Sequence, residues 1–192
     1  MPPADAVRTL EFWFGAPGSA EFGRPRDFWF SKSAATDALI RDRFGDAVEK
    51  ALRAELHWAD CGARGTLALI LLLDQFTRNI FRDGARAFAG DAAALALAKR
   101  LVADRRDRQL TPLERWFAYL PFEHSERIED QNESLRLFGE LAQQGLAEPL
   151  LWARKHHDVV ARFGRYPHRN EALGRISTAE EIEFLRRPGS RF

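Results

Sequence analysis

Apolar residues recur along this chain at intervals of three and four, the spacing that gathers side chains on one face of an α-helix. Residues 4–14 carry Val7, Leu10, Trp13 and Phe14 at that spacing and run into Gly15, which predicts a short helix lidding a core. The Gly- and Pro-containing stretch 15–26 predicts a loop. Residues 34–57 keep the period through Leu39, Ile40, Phe44, Ala47, Val48, Ala51 and Leu52, with charges between, so an amphipathic helix is expected there despite Gly45. After a break at 60–65 comes GTLALILLLDQFTRNIFR over 65–82, whose upstream half is apolar on every face. A helix apolar all round is a buried one, so this stretch reads as the spine of the fold. The short connection makes it the antiparallel partner of 34–57 in an αα-hairpin.

The same plan continues downstream. Residues 91–105 carry Leu95, Leu97, Ala98, Leu101 and Val102, and a charged turn follows over 104–109. Thr111-Pro112 is an N-cap followed by proline at the first helical position, so a short helix over 113–120, stopped near Pro121, is expected. A helix over 125–144 turns Ile128, Leu135, Phe138 and Leu141 or Ala142 inward and closes at Gly145, and 150–163 pairs with it. Ser177-Thr-Ala-Glu180 reads as a capping box opening a last helix to 185. No stretch alternates as a strand, which makes the protein all-α. Helix pairs in succession without a strict sequence period predict a right-handed stack of antiparallel hairpins in one domain over 1–192. Its parts are an aromatic-rich cap (1–30), the hairpins (31–165) and a C-terminal turn and helix (166–192). Such stacks have a concave face suited to binding.

Composition narrows the function classes. With 192 residues, 45% of them hydrophobic, the chain is long enough for a substantial core. Lys and Arg total 29 against 28 acidic residues, which gives no global attraction to nucleic acid or to an anionic membrane. Only Lys32, Lys50, Lys99 and Lys155 are lysines, a bias that suits bidentate pairing with carboxylates or phosphates and equally fits a genomic preference for arginine. Cys61 is the single cysteine, excluding an intrachain disulfide and any multi-cysteine metal site. The N-terminus lacks the order of a secretory signal, and the longest apolar run, 67–73, falls short of the roughly 20 residues of a membrane span. A cytoplasmic protein with no membrane or nucleic-acid partner is expected.

Three polar segments interrupt this apolar plan. On the spine, Asp74 and Arg78 share a face at i and i+4 while Gln75 and Asn79 share another, and Arg82 follows one turn on, suited to an anion. They are candidates for a ligand-facing set or for a structural ion pair between helices, since buried charges need partners in either case. The second segment is Glu123-His124-Ser125-Glu126 with Asp130 and Gln131; Glu126 and Asp130, one turn apart with like charge, call for a cation from Arg127, Arg78 or a metal. Glu123, His124 and Glu126 are suited to acid–base work. Acidic residues favouring a helix dipole are the alternative. The third is His156-His157-Asp158 and the run 163–170, where His156 points inward with Trp152, Val159, Val160 and Phe163. The chain from Arg154 onward has nine basic residues against five acidic, a possible anion-binding rim or a solvated face. No H-x-x-x-H or E-x-x-H spacing occurs, so neither a metal site nor a cofactor is expected. Neither a phosphate loop, a nucleophile elbow nor a base-stacking platform is present. The triplets 12–14 and 28–30, each Phe-Trp-Phe, are an aromatic platform or, alternatively, anchors of the N-terminal segment.

These segments carry a resemblance. Leu73-Asp-Gln-Phe-Thr-Arg-Asn-Ile-Phe-Arg82, Ala87-Phe-Ala-Gly-Asp91, Tyr119-Leu-Pro-Phe-Glu-His-Ser-Glu126 with Gln131, and Phe163-Gly-Arg-Tyr-Pro-His-Arg-Asn170 running into Leu173-Gly-Arg175 resemble a family of small bacterial proteins described as a domain of unknown function with a tetratricopeptide-like helical fold. The resemblance spans nearly the whole chain and implies a stack of hairpins; it implies no activity, substrate or cofactor. The functional expectation is a binding module for a small polar or anionic ligand or a peptide, with Asp74, Gln75, Arg78, Asn79, Arg82, Asp130 and His157 as ligand-binding candidates. The alternative is an enzyme with acid–base chemistry on His124, Glu123, Glu126 and His156.

Overall fold

The computed structural model describes residues 1–191, and every regular element among them is helical, so the all-α expectation holds. None of the described helices is long and apolar enough to cross a membrane. By contact the chain divides into two compact units: Met1–Arg82 with Arg86–Pro121, and Asp83–Ala85 with the chain from Phe122 onward.

The first unit is organised on the predicted spine. Helix α3 (Ala63–Ile70) passes into a π-helical turn (Leu71–Phe76) and then α4 (Thr77–Ile80), with 65–77 buried throughout. Helices α1 (Ala4–Phe14), α2 (Ala34–Leu52) and α5 (Asp91–Ala103) all pack on this run. Leu67, Ile70, Leu71 and Leu72 have no exposed surface, so truncating any of them to alanine costs about 2–5 kcal/mol. The π-turn is a departure from the regular helix expected there. Widening a helix leaves carbonyls without their usual donors, and side chains one turn on take them up: Thr77 Oγ1 donates to Leu73 O (2.8 Å), and Arg78 Nη1 to Asp74 O (2.6 Å).

Each neighbour arrives by a readable local device. Gly15 ends α1 at φ +86°, where a Cβ would sit 2.7 Å from Phe22 N. Ser33 caps α2 by accepting from Thr36 N (3.2 Å), and α2 stops at Leu52, five residues before the sequence pattern suggested, because Ala54 turns left-handed (φ +57°). Gly90 opens α5, and a Cβ there would meet Leu73 O at 2.1 Å, so only glycine lets α5 begin against the π-turn. The two aromatic triplets are chiefly anchors. Trp13, Phe14 and Trp29 are buried, Trp29 lies 4.6 Å from Phe117 ring to ring, and its indole donates to Trp13 O (3.0 Å).

Helix α6 (Pro112–His124) begins in the first unit, and its last turn, from Phe122, belongs to the second. Thr111 Oγ1 accepts from Glu114 N (3.2 Å) while Glu114 accepts from Thr111 N (2.9 Å), a capping box that holds Pro112 at the first position. The predicted stop at Pro121 is not observed. Proline forfeits one backbone donor, and the helix runs three residues past it because its last carbonyls find donors from elsewhere in the chain, described below.

The second unit pairs α7 (Ile128–Gln143) with α8 (Glu148–Phe163) as a helical hairpin over a four-residue turn. Its apolar centre joins Val159, Val160 and Tyr166, with Phe163 and Phe184 against them. Helix α9 (Ala179–Leu185) opens on a capping box one residue later than the sequence suggested: Thr178 and Glu181 form it, not Ser177 and Glu180.

Candidate functional site

In the first unit the polar residues of the spine meet carboxylates brought by α2 and α5. Arg78 forks onto Asp91 (2.8 and 3.1 Å) and reaches Asp74 Oδ1 (3.3 Å), which also accepts from Gln75 through its other oxygen (2.5 Å). Arg82 forks onto Asp37 (2.7 and 2.8 Å), and Asn79 donates to the same carboxylate (2.8 Å). Burial works to raise the pKa of Asp37, yet hydrogen bonds from Arg82 and Asn79 outweigh it and hold the carboxyl below the usual range. The i, i+4 pairing of Asp74 with Arg78 expected from spacing is therefore present, but the bidentate partner of Arg78 is Asp91. Planar forks on carboxylates are the strong form of ion pair, and two of them tie α2, α4 and α5 together.

The second unit gathers a different set. At the end of α6, Gln131 of α7 directs one amide nitrogen to the carbonyls of Glu123 (2.7 Å) and Ser125 (2.6 Å) and to Tyr166 Oη (2.8 Å). Tyr166 Oη in turn donates to Glu123 O. These are the donors that let α6 pass Pro121, and they fix Glu123 and His124 in place. His156 of α8 lies with Nδ1 2.9 Å from Trp152 O and 3.2 Å from Glu123 Oε1. Its ring stands 6.2 Å from that of His124 and 5.6 Å, edge to face, from Tyr166. Tyr166 also has His168 at 5.5 Å and the Arg169 guanidinium 4.5 Å over its ring. Burial, then the cationic tendency of His124, Arg169 and His168, pushes the His156 pKa down to about 3, against the opposing pull of Trp152 O. Burial likewise raises the Tyr166 hydroxyl above its ordinary value.

The segment bearing Tyr166, His168 and Arg169 is strapped at both ends. Glu126 accepts from Tyr166 N (2.8 Å) and from the Arg175 fork (2.7 and 2.9 Å). Burial would raise the Glu126 pKa, but Arg175 and Tyr166 N pull it down. Glu181 receives the Arg165 fork (2.6 and 2.8 Å) together with Thr178 N and Asn170, and the Arg165 hydrogen bonds chiefly lower its pKa to about 2.

Residues 9–189 match the family described as bacterial protein of unknown function, DUF924. The chain belongs to that family. The solved structure of a protein of unknown function from Agrobacterium tumefaciens is similar at 40% identity and a TM-score of 0.81, covering 94% of this chain and 96% of that one. No curated protein sequence matches. Segments 73–82 and 87–91 supply Asp74, Arg78, Asn79, Arg82 and Asp91 to the arginine–carboxylate clasp of the first unit, and Asp37 comes from outside them. Segments 119–126 and 163–175, with Gln131, supply most of the histidine-rich cluster of the second; His156 comes from outside them.

Of the residues singled out in sequence, Glu123, His124 and His156 come together in that cluster. Glu126 stands beside it as a strap, and its cation is Arg175, not Arg127, Arg78 or a metal. Asp130 is buried and accepts from Ser125 Oγ (2.8 Å), while His157 faces Asn132 (3.2 Å). Sequence reasoning left Asp37, Asp91, Tyr166, His168 and Arg169 out of the candidate set. Asp37 carried a usable signal: it lies one turn before Ile40 on the buried stripe of α2, where a carboxylate needs a partner. Among the described residues no group of three or more His, Cys, Asp or Glu side chains is placed to hold a metal ion.

Proposed function

We propose that this protein binds a small oxyanion, a carboxylate or phosphate, through the histidine-rich cluster of its second unit. In this reading Arg169, His168 and His124 recognise the charge, and the arginine–carboxylate clasp of the first unit is structural. The observation that supports it is the gathering of His156, His168 and the Arg169 guanidinium about the Tyr166 ring at 4.5–5.6 Å, with the His124 ring 6.2 Å from that of His156. Their N–H groups make charge-assisted bonds to oxyanions, and partial burial strengthens them relative to water. In the first unit Arg78 and Arg82 face carboxylates that bind helices to one another.

The Glu123–His156 contact of 3.2 Å favours a second reading, acid–base catalysis in the same cluster. Binding ranks ahead of it because an imidazole whose pKa is about 3 is a weak base at neutral pH. The test is a thermal-shift titration with phosphate, acetate, succinate and citrate. Saturation at 100 times Kd adds about 2.7 kcal/mol of apparent stability, a rise of several degrees. The increment is expected to vanish in His168→Ala and to persist in Arg78→Ala on a lowered baseline. No rise with any anion would overturn the proposal and favour a protein partner.

A further inference from the structure

Helix α5 ends at Ala103, and Arg105, left-handed at φ +55°, turns the chain back into a short 3-10 turn, Arg106–Gln109. That reversal carries Arg106 to the 3-10 turn Trp58–Cys61, where it donates to Ala59 O (3.2 Å). A shallow notch there is lined by Ala59, Thr66, Leu97, Arg100, Leu101 and Arg106, with about 200 Å³ of space when its open mouth is counted. Thr66 Oγ1 is committed to Gly62 O (3.2 Å), so the charged donors at the notch are the two guanidiniums. No carboxylate lines it, and among the described residues neither Arg100 nor Arg106 has an ion-pair partner. Ala59 O is the one acceptor described for Arg106, and a guanidinium carries five N–H donors. Along 99–108, Lys99, Arg100, Arg105, Arg106 and Arg108 outnumber Asp104 and Asp107, and Asp107 is buried and accepts from Tyr119 Oη (2.6 Å). In the clasp of the same unit, Arg78 and Arg82 instead face carboxylates.

We infer that this notch is a second anion site, in the first unit, and that its ligand is a diphosphate group, as in pyrophosphate or a nucleoside diphosphate. One planar guanidinium fork matches the oxygens of one phosphoryl group. Two forks at one notch match two linked phosphoryl groups, whereas a single phosphate or a carboxylate occupies only one. Cations on the surrounding turn add a positive field that draws a polyanion more strongly than a monoanion. Because the notch is shallow, the diphosphate lies across its mouth, and the remainder of the ligand stays in solvent.

The test titrates the full chain with pyrophosphate, inorganic phosphate and acetate at constant ionic strength, read by NMR on the side-chain Nε–H signals of Arg100 and Arg106. Pyrophosphate is expected to give saturable shifts there and to bind at least about tenfold more tightly than phosphate, the worth of one added charge-assisted bond. Acetate gives none. Among the described residues Arg100 has no hydrogen-bond partner, so Arg100→Gln keeps the fold, and in it the preference falls below about threefold. Arg105→Gln removes a cation that is also exposed but does not line the notch, and the preference is expected to survive. Equal binding of phosphate and pyrophosphate, or an equal loss in Arg105→Gln, overturns the inference and makes the basic turn a solvated face. Shifts confined to 166–169 overturn it as well and leave the oxyanion proposal for the second unit standing. No shift at any residue overturns both.

Discussion

The two polar clusters arise from the same sequence signature, polar residues set into an otherwise apolar helical run, yet they differ in kind. In the first unit two guanidiniums of the spine each have a carboxylate fork, Arg78 on Asp91 and Arg82 on Asp37. Charge is matched to charge, and what remains is a clasp between helices. In the second, His156, His168 and Arg169 lie about the Tyr166 ring, and the carboxylates of the half-buried Glu126 and the buried Glu181 hold the strap that carries Tyr166, His168 and Arg169. The lesson is that buried polarity does not by itself mark a ligand site, since charges are also buried in pairs that only join helices.

The largest effect that could break this comparison is loss of a clasp. Asp37→Ala leaves Arg82 and Asn79 without their shared acceptor and is expected to lower stability by about 2–4 kcal/mol in urea unfolding, with anion affinity of the folded protein unchanged. A loss of affinity without a loss of stability would move the functional site to the first unit.

The pH dependence of stability comes next. His156 titrates near 6.5 when unfolded but near 3 when folded, so below pH 6.5 the unfolded chain binds a proton that the folded one refuses. Its depressed pKa therefore makes stability rise with pH from about 3 to 6.5 and fall as acid is added, by up to about 1.4 kcal/mol per pH unit. His156→Gln should flatten the slope between pH 6.5 and 5. Below about pH 4.5, Glu126 and Glu181, whose folded pKa values are lowered, add to the loss as pH falls, and Glu181→Gln removes its share. An unchanged slope in His156→Gln would mean that this imidazole is not held neutral.

Two smaller effects sharpen the contrast. Thr178→Ala removes one arm of the capping box that orients Glu181 on the strap, for about 1 kcal/mol in thermal unfolding. His124→Ala, at a half-buried position on the last turn of α6, is expected to change stability by less than about 1 kcal/mol while weakening the phosphate-induced thermal shift. A full loss of fold in His124→Ala would make the second cluster structural as well.

Much of the architecture is legible in the chain itself. The three-and-four periodicity located α1, α2, α5, α7 and α8, because burying one stripe of each helix is a local property of sequence. The apolar run 67–73 marked the spine, and Gly15 and Thr111-Pro112 marked ends. Errors came where a distant residue supplied a missing bond. Pro121 argued for a stop, but Gln131 and Tyr166 serve the carbonyls beyond it. The π-turn depends on Thr77, Arg78 and the close approach of α5 at Gly90, and no periodicity reports it.

For the candidate site the division is sharper. Residue types and spacing identified Asp74, Arg78, Glu123, His124 and His156 as groups that must be paired or used, since burying a charge alone is too costly. Which pairing each obtains depends on side chains that arrive from far along the chain: Asp37 to Arg82, Arg175 to Glu126, Tyr166 to the end of α6. By itself the sequence determined the helices, the buried spine and the segments that carry polarity, because those follow from local periodicity and desolvation. Only the tertiary structure decided that one segment is neutralised into a clasp and another gathers imidazoles around a tyrosine, because electrostatic partnership is set by proximity in space.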